Sequence, residues 1–276
     1  MEELKVLLCI RGNDYGEYAA GFVGRLAKGI EIDCTLLHVE PKTKTFYGFE
    51  FPTPRTKEEI DGFIGRVLKI LKTYGVSKFQ TILREGEPVR EILQESERGG
   101  YSMVVTGTHG AKGLDRFLFE SVSYHVAEYA AVPVLVVRDE AIRHKRVMVA
   151  TDGSEASREA VYYCGHLARG LGFNVTVLSV APAKEAMGGS EVAVEDAKET
   201  LKTEFGIEAE GKIVVGSPVE KILEESGNKD LVIMGSRGLS KIKRLLLGHV
   251  SQRVLADEKA NVLIVRNCEV YNRRAT

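Results

Sequence analysis

Apolar residues fall along this chain in two alternating kinds of run. Short, nearly continuous ones at residues 5–11 (KVLLCIR), 33–40 (DCTLLHVE) and 101–106 (YSMVVT) predict strands buried on both faces. Between them, residues 15–28 carry Ala19, Phe22, Val23 and Leu26 at helical spacing, and residues 57–74 carry Ile60, Phe63, Ile64, Val67, Leu68 and Leu71. Residues 42–55 are polar, aromatic and proline-bearing and predict a loop; residues 79–84 return to strand. Pro88 suits the first position of a short helix running to about Gly99, and a helix from Ser121 with a strand at 133–137 completes the set.

The same order then starts again. Strands are predicted at 147–151, 174–180, 212–215, 231–234 and 261–266, with helices at 156–169 and 191–205 and one ending near Asp257. Ser217 and Glu220 flank Pro218 as a capping box for a helix over 218–226. A repeat this long is of domain size, which gives domains at 1–140 and 146–276 joined by the short basic segment 142–145. Strands alternating with amphipathic helices pair in parallel through right-handed crossovers, so the expected fold is α/β: two doubly wound, Rossmann-like domains of five strands each. Ligands of such sheets bind beyond the carboxyl ends of the strands, where strand order reverses.

One stretch stands at such a strand end. Residues 235–251, GSRGLSKIKRLLLGHVS, follow an apolar strand and lead into a helix. Gly235 and Gly238, then Gly248 after nine intervening residues, permit positive φ and remove Cβ atoms where a ligand approaches the backbone. The N–H groups of the helix that follows form an anion site, to which Ser251 adds a hydroxyl. Three glycines also serve simply to shape a strand-to-helix connection. Lys241, Lys243 and Arg244 read either as screening phosphate charge or as a solvated basic loop, and Arg237 lies between the first two glycines.

The pattern G-x-x-G, nine residues, then G, with Met234 before it and Arg244-Leu-Leu-Leu-Gly248 within it, resembles the nucleotide motif of the universal stress protein family. His249 departs from that motif, occupying a position where the family has a small hydroxyl residue; Val250 and Ser251 follow it. The turn Ala150-Thr151-Asp152-Gly153-Ser154 is similar to the family's adenosine-binding turn, in which Asp152 would meet ribose hydroxyls or help hold a magnesium ion bridging phosphates. From the residues alone, an aspartate in a D-G-S turn is as readily a turn-former or helix cap. The resemblance assigns the adenine edge to the backbone of Val180. It implies an adenine nucleotide (ATP, ADP or AMP) as ligand, a nucleotide-dependent role in stress response, and two halves packed as paired subunits are in the family, with a homodimer as a further expectation.

Aligned on the glycine loop, the first half matches Gly107 to Gly235, Gly110 to Gly238 and Ser123 to Ser251, but Glu120 to Gly248; aligned on the first strand, Arg11 meets Asp152. A carboxylate near a phosphate is unfavourable: two like charges ~4 Å apart cost roughly 4 kcal/mol at an effective dielectric near 20. The first half therefore reads as a degenerate copy, with Arg11 and His109 as the alternative of a different anion pocket.

Composition narrows the classes further. The 276 residues are 44% hydrophobic and 28% charged with a net charge of −1, which excludes disorder and the positive field of a nucleic-acid binder. Apolar runs stay below the roughly 20 residues of a membrane span, and the acidic start MEELK is unlike a secretory signal, so a cytoplasmic protein without membrane contact is expected. Cys9, Cys34, Cys164 and Cys268 are widely spaced, with no metal-binding pair. No nucleophile with an adjacent base stands out, and His249 is the sole candidate for proton transfer beside a phosphate. Nucleotide binding with very slow or absent ATP turnover is thus the leading expectation. A slow ATP-hydrolysing or nucleotidyl-transferring enzyme of the same adenine-nucleotide alpha-hydrolase-like fold group is the alternative, and an interaction scaffold with a vestigial pocket the third.

Overall fold

The computed structural model describes residues 3–11, 14–42, 45–46, 49–50, 55–108, 122–238, 247–257 and 260–266. His109, Gly110, Glu120, Ser121, Lys241, Lys243, Arg244 and Cys268 lie outside them. The chain divides into two compact units, Met1–Ile142 and Arg143–Thr276.

In the first unit β1 (Glu3–Ile10), α1 (Asp14–Leu26) and β2 (Glu31–Pro41) are followed by a small antiparallel hairpin, β3 (Thr45–Phe46) with β4 (Phe49–Glu50). Then come α2 (Lys57–Thr73), β5 (Lys78–Gly86), α3 (Pro88–Arg98), β6 (Met103–Gly107), α4 (Val122–Tyr129) and β7 (Val134–Val137). The hairpin occupies a stretch whose sequence reads as loop, because two-residue strands are too short to show any periodicity. The second unit holds β8 (Arg146–Ala150), α5 (Glu155–Leu171), β9 (Asn174–Ala181), α6 (Met187–Phe205), β10 (Glu210–Val215), α7 (Pro218–Glu225), β11 (Leu231–Gly235), α8 (His249–Asp257) and β12 (Asn261–Val265). No helix among the described residues is long and apolar enough to cross a membrane.

Within each unit the five main strands are parallel. Their order is β7-β6-β1-β2-β5 in the first unit and β10-β9-β8-β11-β12 in the second, so order reverses between β1 and β6 and between β8 and β11. Central strands such as β11 and β6 are buried almost throughout, whereas β5 and β10 alternate or lie half exposed at the end of their unit's order. That pattern is what parallel strands covered by helices on both faces require.

Strand registers show that the units are the same structure twice. Gly107 pairs with Val137 as Gly235 pairs with Val265, Cys9 with Thr106 as Ala150 with Met234, and Cys9 with Leu37 as Ala150 with Leu178. Counting from these pairs, Arg11 occupies the position of Asp152, Val39 that of Val180, and Tyr101 that of Lys229.

Helix caps depart from the sequence reading in an explicable way. Ser217 caps α7 by position, but its side chain makes no capping hydrogen bond, so the expected capping box does not form. Thr56 and Ser154, at ψ 160°, do reach their helix N–H groups, and Thr56 with Glu59 makes the full box on α2. Ser217 has ψ 122°, which turns its short side chain away from the first turn. Glu87 has nearly the same ψ, 118°, yet caps α3 by accepting from the N–H of Val89 at 2.9 Å and Arg90 at 2.7 Å, because its longer side chain spans the gap.

Candidate functional site

The order reversal in the second unit brings together the ends of β8 and β11. Beyond Ala150 the chain turns through Thr151, Asp152 and Gly153 into Ser154, the N-cap of α5. Gly153 takes φ 77°, a left-handed conformation that glycine adopts without a Cβ clash. Asp152 Oδ1 accepts the Ser154 N–H at 3.0 Å, and Ser154 Oγ accepts the Ser157 N–H at 3.3 Å. The buried Thr151 hydroxyl lies 3.1 Å from Ser157 Oγ and accepts the Gly153 N–H at 3.2 Å. The turn is thus held from within, and Asp152 stays exposed at its tip.

Opposite it, β11 ends at Gly235. A Cβ there would lie 2.7 and 2.8 Å from the Ala156 backbone carbon and oxygen, so glycine is needed where the strand end meets the first turn of α5. Gly107 is held by the same constraint against the Tyr15 carbonyl. Ser236 then fixes both ends of the loop: its N–H donates to the Val265 carbonyl at 2.7 Å, and its own carbonyl accepts from Gly248 at 2.8 Å. The two loops touch, since Ser154 Oγ donates to the Arg237 carbonyl at 3.4 Å and a Cβ on Gly238 would run into Asp152 Oδ2. At Gly248 an added Cβ would meet Ser236 and Arg237 only at an ordinary 3.5 Å. None of Gly235, Gly238 and Gly248 has a positive φ, so space rather than backbone freedom is what these glycines supply.

Gly248 precedes α8, and its carbonyl accepts the Gln252 N–H at 2.9 Å. By helix geometry the N–H groups of His249, Val250 and Ser251 have no intrahelical acceptor and form the positive end of α8. His249 is exposed and Val250 half-buried. Ser251, which the sequence marks as a phosphate donor, is buried beside the crevice. It is 3% exposed, and Oγ donates at 2.9 Å to the Gly235 carbonyl, which commits its one proton inside the fold. Ser123 makes the same bond to Gly107 at 3.1 Å in the first unit.

Val180 lies where β9 outruns β8. The Thr151 N–H bonds to the Leu178 carbonyl and the Gly216 N–H to the Ala181 carbonyl. Successive peptides of a strand face opposite sides, so the Val180 peptide faces the same side as Leu178, past the last pairing of β8. Its N–H and C=O thus point to the crevice at the carboxyl ends of β8 and β11.

The residues singled out from the sequence accordingly fall into two groups. Asp152, Gly238 and His249 are exposed and Ala150, Val180, Arg237, Gly248 and Val250 half-buried around the crevice, while Thr151, Met234, Gly235 and Ser251 are buried and frame it. Ser157 and Ser236 have no role in the sequence reading, although the helix-cap signal of the D-G-S turn points to the first of them. Among the described residues no group of three or more His, Cys, Asp or Glu could hold a metal by itself. A magnesium ion would therefore take most of its ligands from phosphate and water, with Asp152 as the carboxylate at hand.

The first unit builds the corresponding place differently. His38 is 1% exposed, with Nδ1 3.1 Å from the Ile10 carbonyl and Nε2 2.9 Å from Glu40 Oε2, while Glu40 Oε1 accepts the Arg55 N–H at 3.0 Å. Burial, then repulsion from Arg55, lowers the pKa of Arg11.

Strand order and loop placement together define a doubly wound α/β protein in which the two loops meet at the topological switch point. The universal stress protein family model matches the chain twice, over residues 4–138 and 143–266, and the chain belongs to that family. Universal stress protein YxiE of Bacillus subtilis (strain 168) is 32% identical over 146 residues, 98% of that protein and 49% of this chain, so one whole relative corresponds in size to one unit here. A universal stress protein from Archaeoglobus fulgidus DSM 4304 has the same fold over 95% of this chain and 98% of its own, with a TM-score of 0.73 at 24% identity. A universal stress protein crystallised in complex with cAMP is 30% identical, covering 45% of this chain and 97% of its own at a TM-score of 0.38.

Proposed function

We propose that the second unit binds an adenine nucleotide, ATP, ADP or AMP, and that the chain acts as a nucleotide-dependent regulator in a stress response. The observation that carries this reading is the apposition of two loops distant in sequence: Gly238 faces Asp152 Oδ2, and Ser154 Oγ bonds the Arg237 carbonyl. Phosphates would lie against the backbone N–H groups at the start of α8, where Gly248 has room, with Asp152 toward the ribose and the Val180 peptide toward the base. Family membership supports adenine as the base. The first unit, with Arg11 at the position of Asp152, is on this reading a partner without a nucleotide.

Binding rather than turnover is the expected activity. Backbone donors and Arg237 hold phosphate in the ground state as well as in a transition state, which gives affinity without rate. In-line hydrolysis further needs an oriented water and, as a rule, a firmly held metal. Denaturing the purified protein and weighing any released small molecule tests the ligand directly; release of an adenine nucleotide supports the reading. Absence of bound nucleotide together with no binding of added ATP, ADP or AMP favours a scaffold instead. Multiple turnovers of ATP with magnesium at roughly 1 per second or faster, lost in His249→Ala, would make the protein an enzyme.

A further inference from the structure

At the other end of the second unit's strands, below the amino ends of β8, β9 and β10, lies an open cleft of about 710 Å³ whose wall includes Arg146, Thr176, Glu210, Lys212, Glu225 and Lys229. That volume is in the range of small-molecule sites. The first unit supplies an internal comparison. The Ser102 N–H donates to the Lys5 carbonyl and Ser102 Oγ accepts the Lys5 N–H, just as the Asp230 N–H donates to the Arg146 carbonyl and Asp230 Oδ2 accepts the Arg146 N–H, which confirms Tyr101 as the counterpart of Lys229 and Lys5 as that of Arg146. Tyr101 is 2% exposed and fills its place: its hydroxyl donates to Glu95 at 3.0 Å, and the Lys5 ammonium sits 5.2 Å from the ring centre. In the second unit the aromatic ring is replaced by a second cation. Lys229 Nζ instead donates at 2.8 Å to Thr176 Oγ1, whose hydroxyl lies 3.4 Å from Glu210 Oε2.

The cleft is lined by four carboxylates, Glu208, Glu210, Glu224 and Glu225, and three cations, Arg146, Lys212 and Lys229. Glu225 pairs with Lys212, and the lining residues Glu208 and Glu224 pair with Lys202 at 3.0 Å and Lys221 at 2.6 Å. Outside these ion pairs the lining holds Arg146 and Lys229 beside Glu210. Burial first, then repulsion from Arg146 and Lys212, lowers the pKa of Lys229, with Glu210 and Glu225 opposing. A cation–π pair in one unit has thus become two like charges facing one space in the other, an arrangement that an anion between them relieves.

We propose that this cleft is a second ligand site, separate from the nucleotide crevice, and that it takes a small oxyanion, a phosphate- or carboxylate-bearing metabolite, between Lys229 and Arg146. The proposal does not rest on the nucleotide reading, because the two sites lie at opposite ends of the strands. The test is a titration of the full chain with inorganic phosphate and, separately, with succinate, followed by amide NMR shifts. Saturable shifts are expected at Thr176, Lys212 and Lys229 with at least one of the two anions, and the preferred anion identifies the head group. In Lys229→Tyr, which copies the residue that the first unit accommodates, binding at these amides weakens at least tenfold while the fold is retained. Lys229→Met serves as the second variant should the tyrosine perturb the spectrum broadly. Shifts that stay linear with both anions, or saturate equally in wild type and both variants, overturn the proposal.

Discussion

Ser251 is marked by its motif, and in the folded chain its hydroxyl is directed at the Gly235 carbonyl. Spacing alone marks it as a hydroxyl near a phosphate loop, but the direction of a hydroxyl is decided by the nearest unsatisfied acceptor, here the buried Gly235 carbonyl. Ser251→Ala leaves that carbonyl without its partner, at a cost of about 1–3 kcal/mol. Melting temperature is expected to fall with nucleotide affinity changed less than threefold; an affinity loss above tenfold at unchanged stability would return Ser251 to the phosphate. A second residue sets a pH dependence. His166 sits against the Phe205 ring at 4.8 Å, and burial, with Arg169 adding to it, lowers its pKa from the ordinary 6.5 to about 4. Between those values the unfolded chain binds the proton and the folded chain does not, so stability is lost as pH falls from about 6.5 toward 4. Urea unfolding across that window should show a shallower loss in His166→Gln than in wild type. An identical slope would mean that His166 does not contribute.

At the scale of elements, what the sequence made legible is what local pattern determines. The buried runs of β1, β6, β8 and β11 and the helical spacing of α1 and α2 follow from their apolar positions, and both strand-to-helix loops were visible through their glycines. Other features were not legible, each for a physical reason. The Ser217 cap failed because ψ, not residue type, decides whether a short side chain reaches the helix. The start of α6 at Met187, before the predicted 191, runs through Gly188 and Gly189, whose weak propensity suggests a loop. The cleft at Lys229 joins side chains from β8, β9, β10 and α7, which only the strand order brings together. The caps give a paired expectation: Thr56→Ala destabilises by about 1 kcal/mol, and Ser217→Ala by much less, since it removes no capping bond. Equal losses in thermal unfolding would show that Ser217 caps α7 in solution. Another anchor that the sequence concealed is Asp230, whose carboxylate accepts N–H groups from Arg143 at 2.7 Å and Arg146 at 3.0 Å, so the basic segment 142–145 is fastened to the unit it introduces.

The whole molecule repeats one fold twice and diverges at matching places. Tyr101 closes a space that Lys229 leaves open, and Arg11 with the His38–Glu40 pair stands where the second unit presents Asp152 and an unencumbered Val180. The framework is repeated, seen in Ser123 and Ser251 making the same bond, while the positions around the carboxyl ends of the strands differ between the units. The central claim is that one unit of the pair binds the nucleotide. It is tested most directly by calorimetric titration of the full chain with ATP, beside Gly248→Glu, which puts into the second unit the carboxylate that the first has at Glu120. Near-ordinary contact distances at Gly248 mean that the variant should fold. The account predicts saturation at one nucleotide per chain in the wild type and at least a tenfold loss of affinity in Gly248→Glu at a similar melting temperature. Two equivalent sites per chain, or one site unaffected by Gly248→Glu, would contradict it.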